Sequence, residues 1–289
     1  MSQLAAPSQS NVTAPNQTVE AANGVTYAYR RFGNADGVTL PLVGFQHYRG
    51  NLDNWDPALV DAIAERREVI LFDNAGVGGS TGTVPHTVTP MAYDALAFIE
   101  ALGLEQIDIL GYSMGGFVAQ ELTLIRPQLV RRLVLAGTGP QGGEQMHGYH
   151  ADVFGNATAD EPGGEDLLAL FFERSDTSVA KGMEFIGRIF TRTEDRDIGT
   201  TLGTRDAQLD AVTTWGIPEP GRLERLAGIT QPVLAANGDN DRMVPTVNTY
   251  LLADRLPDAR LTIYPDAGHG FLFQYPAEFA AEVEAFLAE

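Results

Sequence analysis

The 289-residue chain contains no cysteine. This excludes a disulfide framework and a thiol nucleophile, and it carries no redox signal. Basic residues are scarce: 19 Lys and Arg stand against 38 Asp and Glu, a net charge of −19. A surface this acidic repels phosphate backbones and anionic bilayers, so neither nucleic acid nor membrane is expected as a partner, and neutral or cationic small molecules are favoured. No apolar run approaches the roughly 20 residues that cross a bilayer. Residues 1–16 lack both the basic start and the apolar stretch of a secretory signal, so a cytoplasmic location is expected. Their Ser, Gln, Asn, Ala and Pro read as a flexible tail or as a strap across the surface.

What is present suits one core with an insertion. Hydrophobic residues make up 44% of the chain. Short apolar runs at 18–21, 25–32, 40–45, 69–72, 107–110, 133–136, 233–236 and 261–264 read as strands. Amphipathic stretches at 57–65, 89–102, 116–125, 247–255 and 277–288 read as helices, with Leu102-Gly103 and Arg126-Pro127 as stops. This alternation predicts an α/β fold: a mostly parallel eight-stranded sheet covered on both faces, its first two strands antiparallel. The strand rhythm ceases between about 138 and 225, where Gly and Pro cluster at 137–143 and 216–221 and helical patterns run at 165–173, 178–192 and 205–215. The expected organisation is a tail at 1–16, core at 17–137, a helical cap at 138–225 and core again at 226–289.

The most informative stretch is Gly111-Tyr112-Ser113-Met114-Gly115-Gly116, directly after the run Ile107 to Leu110 and before a helix. It fits G-x-S-x-G, a strand-to-helix elbow that exposes a serine hydroxyl at the carboxyl end of a sheet. Side chains two positions either side would meet the neighbouring strand and helix, which explains the glycines. The Met114 N–H then points where an oxyanion would form. Alone the pattern also suits a solvated serine in a glycine-rich turn, so it needs a base and an acid further on. A histidine between glycines, Gly268-His269-Gly270, follows the last strand. The loop after the strand 233–236 carries Asp239 and Asp241, either able to orient an imidazole through Nδ1. The order is serine, acid, histidine.

With these motifs in place, the chain from about 18 to 289 resembles the α/β-hydrolase fold superfamily, serine hydrolases with an inserted helical cap. Gly238, Asp241, Val244 and Pro245 match that family's G-x-x-D-x-x-V-P, which implies Asp241 as the acid with Asp239 as competitor. Family members that carry the acid after the sixth strand have no counterpart here, since Ala136-Gly137-Thr138 holds no carboxylate. The family's His-Gly after its third strand is replaced: counting back from Trp55 puts Gln46 and His47 in those places and Tyr48 at the second oxyanion donor. His47 is then either a loop brace or a substrate contact. Asp73-Asn74-Ala75-Gly76-Val77-Gly78-Gly79-Ser80 resembles the family's D-x-x-G-x-G-x-S turn, and its spacing is not that of a phosphate-cradling loop.

The resemblance implies a triad of Ser113, Asp241 and His269, an oxyanion hole at the N–H groups of Tyr48 and Met114, and no cofactor. His47, Tyr112, Phe171, Phe172 and Trp215 are the expected substrate-binding residues, with the stretch 146–154 also facing Ser113. Met183, Phe185, Ile186, Ile189 and Phe190 read as cap core. His86 reads as a solvated loop residue. His147 and His150, with Asp152, could share a metal, but no cysteine or further acidic cluster joins them, so no metal site is expected. The expected activity is hydrolysis of an ester, thioester, lactone or amide of a small to medium apolar substrate. Carbon–carbon bond hydrolysis, hydroxynitrile lysis, acyl transfer, perhydrolysis and slow ligand reception use the same triad and remain open. An aspartate nucleophile, as in epoxide hydrolases and haloalkane dehalogenases, is disfavoured by Ser113. Monomer and homodimer are equally compatible with the sequence.

Overall fold

In the computed structural model, residues 10–35 and 37–289 are described. Eight strands, β1 Gln17–Glu20, β2 Thr26–Gly33, β3 Leu42–Phe45, β4 Glu68–Phe72, β5 Ile107–Tyr112, β6 Val130–Ala136, β7 Val233–Gly238 and β8 Ala259–Tyr264, form one sheet. Their order is β1-β2-β4-β3-β5-β6-β7-β8. Only β2 runs against its neighbours, antiparallel to both β1 and β4; every other pairing is parallel.

The central strands bury both faces, and alternation sorts their side chains between two cores. Ile107 and Ile109 of β5, with Leu133 and Leu135 of β6, pack with Phe98, Val118 and Leu122. Leu110 and Tyr112, with Val134 and Ala136, pack on the other face with Leu59, Ile63, Phe279 and Val283. The first set of partners lies on α2 Val88–Ala101 and α3 Met114–Ile125; the second lies on α1 Pro57–Ala64 and on a helix at the C-terminal end, Pro276–Leu287. Apart from Asp108, Arg131 and Arg132, β5 and β6 carry no charged side chain on either face, as strands covered on both sides require.

Between β6 and β7 the chain leaves the sheet and forms α4 Ala151–Ala157, α5 Gly164–Phe171, α6 Asp176–Ile189, α7 Leu202–Trp215 and α8 Pro220–Leu223. Sequence reading anticipated α5, α6 and α7. It missed α4 and α8, which span seven and four residues, too short to show a helical period. After β7 come α9 Val247–Arg255, then α10 Phe271–Gln274 and α11 Pro276–Leu287. Ser175 and Thr201 start α6 and α7 by accepting the N–H of Ser178 and Thr204. The insertion is tied down by ions. Arg188 of α6 grips Asp56 through two bonds of 2.8 and 2.6 Å, while Asp56 also caps α1 through the Ala58 N–H.

Of the two readings of the first sixteen residues, tail or strap, the tail is corrected for residues 10–16. The Asn11 N–H donates to Asp61 at 2.6 Å, Ala14 is fully buried, and one Arg192 nitrogen donates to the carbonyls of Asn11, Val12 and Ala14. This stretch is a strap pinned between α1 and the insertion. Composition alone left tail and strap undecided, because the pinning side chains lie 50 and about 180 residues away. Residues 1–9 of the expected tail lie outside the described residues. Among the described residues, no helix is long and apolar enough to cross a membrane.

The strand order places a site. From β3 the chain moves to β4 on one side, then returns to β5 on the other. Ligands of open α/β sheets bind in the crevice outside the carboxyl ends of strands at such a reversal.

Candidate active site

Ser113 stands at that crevice, at the end of β5 and the start of α3. Its backbone adopts φ 55° and ψ −121°, a conformation costly for a residue with a Cβ. Two close approaches hold the turn there. A Cβ on Gly115 would lie 2.0 Å from the Phe45 carbonyl oxygen at the end of β3. One on Gly111 would lie 2.8 Å from Gly116 Cα. The elbow is therefore wedged between β3 and its own helix, with the Ser113 carbonyl accepting the Thr138 hydroxyl at 2.8 Å. The first turn of α3 points free N–H groups at the same place, where the helix dipole favours negative charge.

His269 sits on the loop after β8 and is fully buried. Its Nδ1 lies 2.7 Å from Asp241 Oδ2, both side chains closed to solvent. Asp241 is fixed by its other oxygen, which accepts the N–H groups of Met243 and Val244 at 2.8 and 3.0 Å. Asp239 faces elsewhere: its two oxygens accept the Asp266 and Ala267 N–H groups, bracing the loop that carries the imidazole. The Gly270 N–H donates to the Phe171 carbonyl at 2.7 Å, so the insertion packs directly on this loop. Among the described residues, His269 Nε2 has no hydrogen-bond partner. A neutral imidazole bonded through Nδ1–H to a carboxylate keeps a lone pair on Nε2, which suits a proton acceptor.

Between β3 and α1, the loop His47–Asn51 directs its amides individually. The His47 N–H donates to Gln46 Oε1, Arg49 to Gln208 Oε1, Gly50 to the His47 carbonyl and Asn51 to Asn54 Oδ1. Among the described residues, Tyr48 is the one amide of this stretch without an acceptor. Gln46 thus braces the loop, its Nε2 also reaching the Asn51 carbonyl at 3.3 Å.

Two cavities reach Ser113. The larger, about 450 Å³, is lined by His47, Tyr48, Ser113, Phe171 and His269 and by the charged Asp53, Asp160, Arg196 and Asp197. The smaller, about 30 Å³, is apolar: Phe117, Tyr149, Val153, Phe154, Leu209 and Val212 surround it. Ser113, Tyr48, Ala157 and Met243 line both.

Sequence reading placed His47, Phe171 and the stretch 146–154 here; the cavities include His47, Phe171 and, of that stretch, Tyr149, Val153 and Phe154, while Met146 packs in the core. Three of its substrate-binding expectations need correction. Tyr112 lies behind the site, its ring against His269 and its hydroxyl donating to the His269 carbonyl at 3.2 Å. Phe172 turns away to pack on Phe185 and Gly182. Trp215 stacks on Phe117 with its indole N–H on the Gly139 carbonyl. None of the three lines either cavity that reaches Ser113. Leu209, Val212 and Met243 were missed. The first two sit three apart on one face of α7, a spacing that reads equally well as core.

Burial acts strongly on this neighbourhood. It pushes the Tyr48 and Tyr149 hydroxyls up to about 12, keeping both protonated. It pulls the His47 imidazole down from 6.5 to about 4, with a lesser contribution from the neighbouring His269.

The α/β-hydrolase fold profile matches residues 44–276, most of the chain. An α/β-hydrolase fold protein from Chitinophaga pinensis superposes with a TM-score of 0.90, at 43% identity over 96% of this chain and 99% of that one. A Mycobacterium tuberculosis protein named as a candidate non-heme bromoperoxidase is 28% identical over 268 residues, 91% of this chain and 98% of its own length. A pimeloyl-[acyl-carrier protein] methyl ester esterase from Aeromonas hydrophila is 26% identical over 236 residues, 79% of this chain and 88% of its own. With the strand order, the elbow and these likenesses together, the chain is an enzyme that belongs to the α/β-hydrolase fold family.

Proposed function

We propose that the protein is a serine hydrolase that cleaves an ester, thioester, lactone or amide of a small to medium substrate through an acyl-enzyme on Ser113. The observation that carries this reading is His269: a buried imidazole bonded to Asp241 through Nδ1, its Nε2 unpartnered, lining the same cavity as Ser113. Nε2 takes the hydroxyl proton as Ser113 Oγ bonds to the substrate carbonyl carbon, and the carbonyl electron pair moves onto oxygen. The N–H groups of Tyr48 and Met114 hold that oxyanion, the charge for which buried donors matter most. Collapse of the intermediate expels the alcohol, thiol or amine, which leaves with the proton from His269. Water, deprotonated by Nε2, then adds to the acyl carbon, and the acyl–Oγ bond breaks to release the acid. The insertion serves as a cap: Tyr149, Val153, Phe171, Leu209 and Val212 roof the serine with apolar surface, which excludes water and strengthens every charge interaction beneath.

The test is turnover of a chain-length series of p-nitrophenyl esters by wild type beside Ser113→Ala. Serine-dependent turnover, fastest for short chains that suit the 30 Å³ apolar cavity, is the expected result. No turnover by folded wild-type protein would move the chemistry to lyase, carbon–carbon hydrolase, transferase or receptor roles on the same scaffold.

A further inference from the structure

A second histidine reaches the cavity beside Ser113. His47 is 6% exposed and lines the larger cavity but not the smaller one. Its Nδ1 lies 2.8 Å from the Tyr48 carbonyl. A carbonyl only accepts, so Nδ1 carries the hydrogen. The ring is edge-on to Tyr112 and Phe171, with centroids 5.4 and 5.2 Å away, and its backbone N–H is held by Gln46. The orientation is therefore set from three sides. Its Nε2 is buried and has no partner among the described residues. In a neutral ring with the hydrogen on Nδ1, Nε2 is a bare acceptor. An unpaired buried acceptor is costly and needs a reason.

We propose that His47 is a specificity-determining residue whose Nε2 accepts a hydrogen bond from a hydroxyl or N–H on the substrate close to the scissile bond. The proposal rests on the serine-hydrolase reading above and names the kind of substrate that site prefers. His47 immediately precedes Tyr48, the oxyanion donor of that reading, and lines the same cavity as Ser113. The recognised donor belongs to the part of the substrate in the larger cavity, because His47 does not border the apolar one. The imidazole stays uncharged beside His269 even when His269 holds the transferred proton, since a like charge there disfavours a second. A site built to pair a substrate donor discriminates sharply against an analogue that lacks it, because the analogue leaves the acceptor unpaired.

Two matched ester pairs test this: ethyl lactate against ethyl propionate, and 2-hydroxyethyl acetate against ethyl acetate. The first pair places the hydroxyl in the acyl part, the second in the alcohol part. For wild type, kcat/KM should favour the hydroxylated member of one pair by at least about tenfold. In His47→Phe, which keeps a ring against Tyr112 and Phe171, that ratio should fall to near one. In His47→Gln, which restores an acceptor, it should partly return. Wild type with no preference in either pair overturns the proposal without any variant, and so does a preference that survives in folded His47→Phe. Labelling of Ser113 by a fluorophosphonate probe separates the two levels. Labelled enzyme that hydrolyses both members equally defeats the role of His47 alone. Absence of both labelling and hydrolysis defeats the serine-hydrolase reading and this proposal with it.

Discussion

His269 and Asp241 meet at 2.7 Å with neither side chain open to solvent, although 28 residues separate them. The carboxylate is also bound by two backbone N–H groups of its own loop, so it cannot follow the imidazole if the ring moves. The pair therefore fixes which imidazole nitrogen holds the hydrogen and which faces the cavity.

The acid two residues earlier gives the control. In Asp241→Asn, the amide offers the imidazole a donor where an acceptor is needed, and the ring's tautomer is lost. Ester turnover should fall on the order of 10⁴-fold, with KM little changed. Asp239→Asn removes one of two bonds to the Asp266 and Ala267 amides and should cost less than about tenfold. Steady-state kinetics on both variants decides it; equal losses, or a larger loss at Asp239, would reassign the acid.

The elbow was legible in the sequence because its glycines answer local geometry: Gly111 and Gly115 mark the two approaches that a Cβ would block. The sheet was legible for a similar reason, since strands buried on both faces read as largely apolar runs. Gly268, beside His269, has its cause in the insertion, where the Phe171 carbonyl would lie 3.0 Å from a Cβ, and nothing near it in sequence reports that contact. The same limit explains the errors. Phe171 and Phe172 are adjacent and chemically identical, yet one lines the cavity and the other packs on Phe185. Trp215 and Val212 share α7, and again only tertiary packing separates core from cavity. Sequence could not choose between tail and strap at 10–16 because Arg192, which pins it, lies about 180 residues away.

His47 makes stability depend on mild acid. Its imidazole titrates at about 4 in the fold and at 6.5 in its ordinary state. Between those values the unfolded chain holds a proton that the native chain does not, so stability is full above about 6.5 and declines as pH falls. At pH 5 the cost from this residue alone is roughly 2 kcal/mol. His47→Phe should therefore lose less stability between pH 7 and pH 5 than wild type, measured by urea unfolding at both pH values. The His47 C2–H resonance should stay at its neutral position down to about pH 5. A midpoint near 6.5 would show an imidazole open to water.

Asp73 and Asp197 join the core to the insertion as two carboxyls sharing one site. The Leu52 N–H lies 3.0 Å from Asp73 Oδ1 and 3.2 Å from Asp197 Oδ2, and one Cβ position on Gly78 would lie 2.5 Å from an oxygen of each. Burial, then the neighbouring Asp197 charge, raises Asp73 well above its ordinary 3.8. A native group with a raised value keeps a proton that the unfolded chain has already released. Stability therefore falls as pH rises from about 3.8 through the native value, and above it the full penalty is present. Asp197→Asn supplies the missing donor permanently: its amide can face Asp73 while its oxygen still accepts the Ile198 N–H, and Leu52 keeps Asp73. Thermal unfolding at pH 7.5 should rise by about 3 °C, the equivalent of roughly 1 kcal/mol in a chain of this size. The gain should shrink as pH falls through the native value of Asp73, below which wild type holds the proton itself. A variant less stable than wild type at pH 7.5 would mean that the two carboxyls do not oppose one another there.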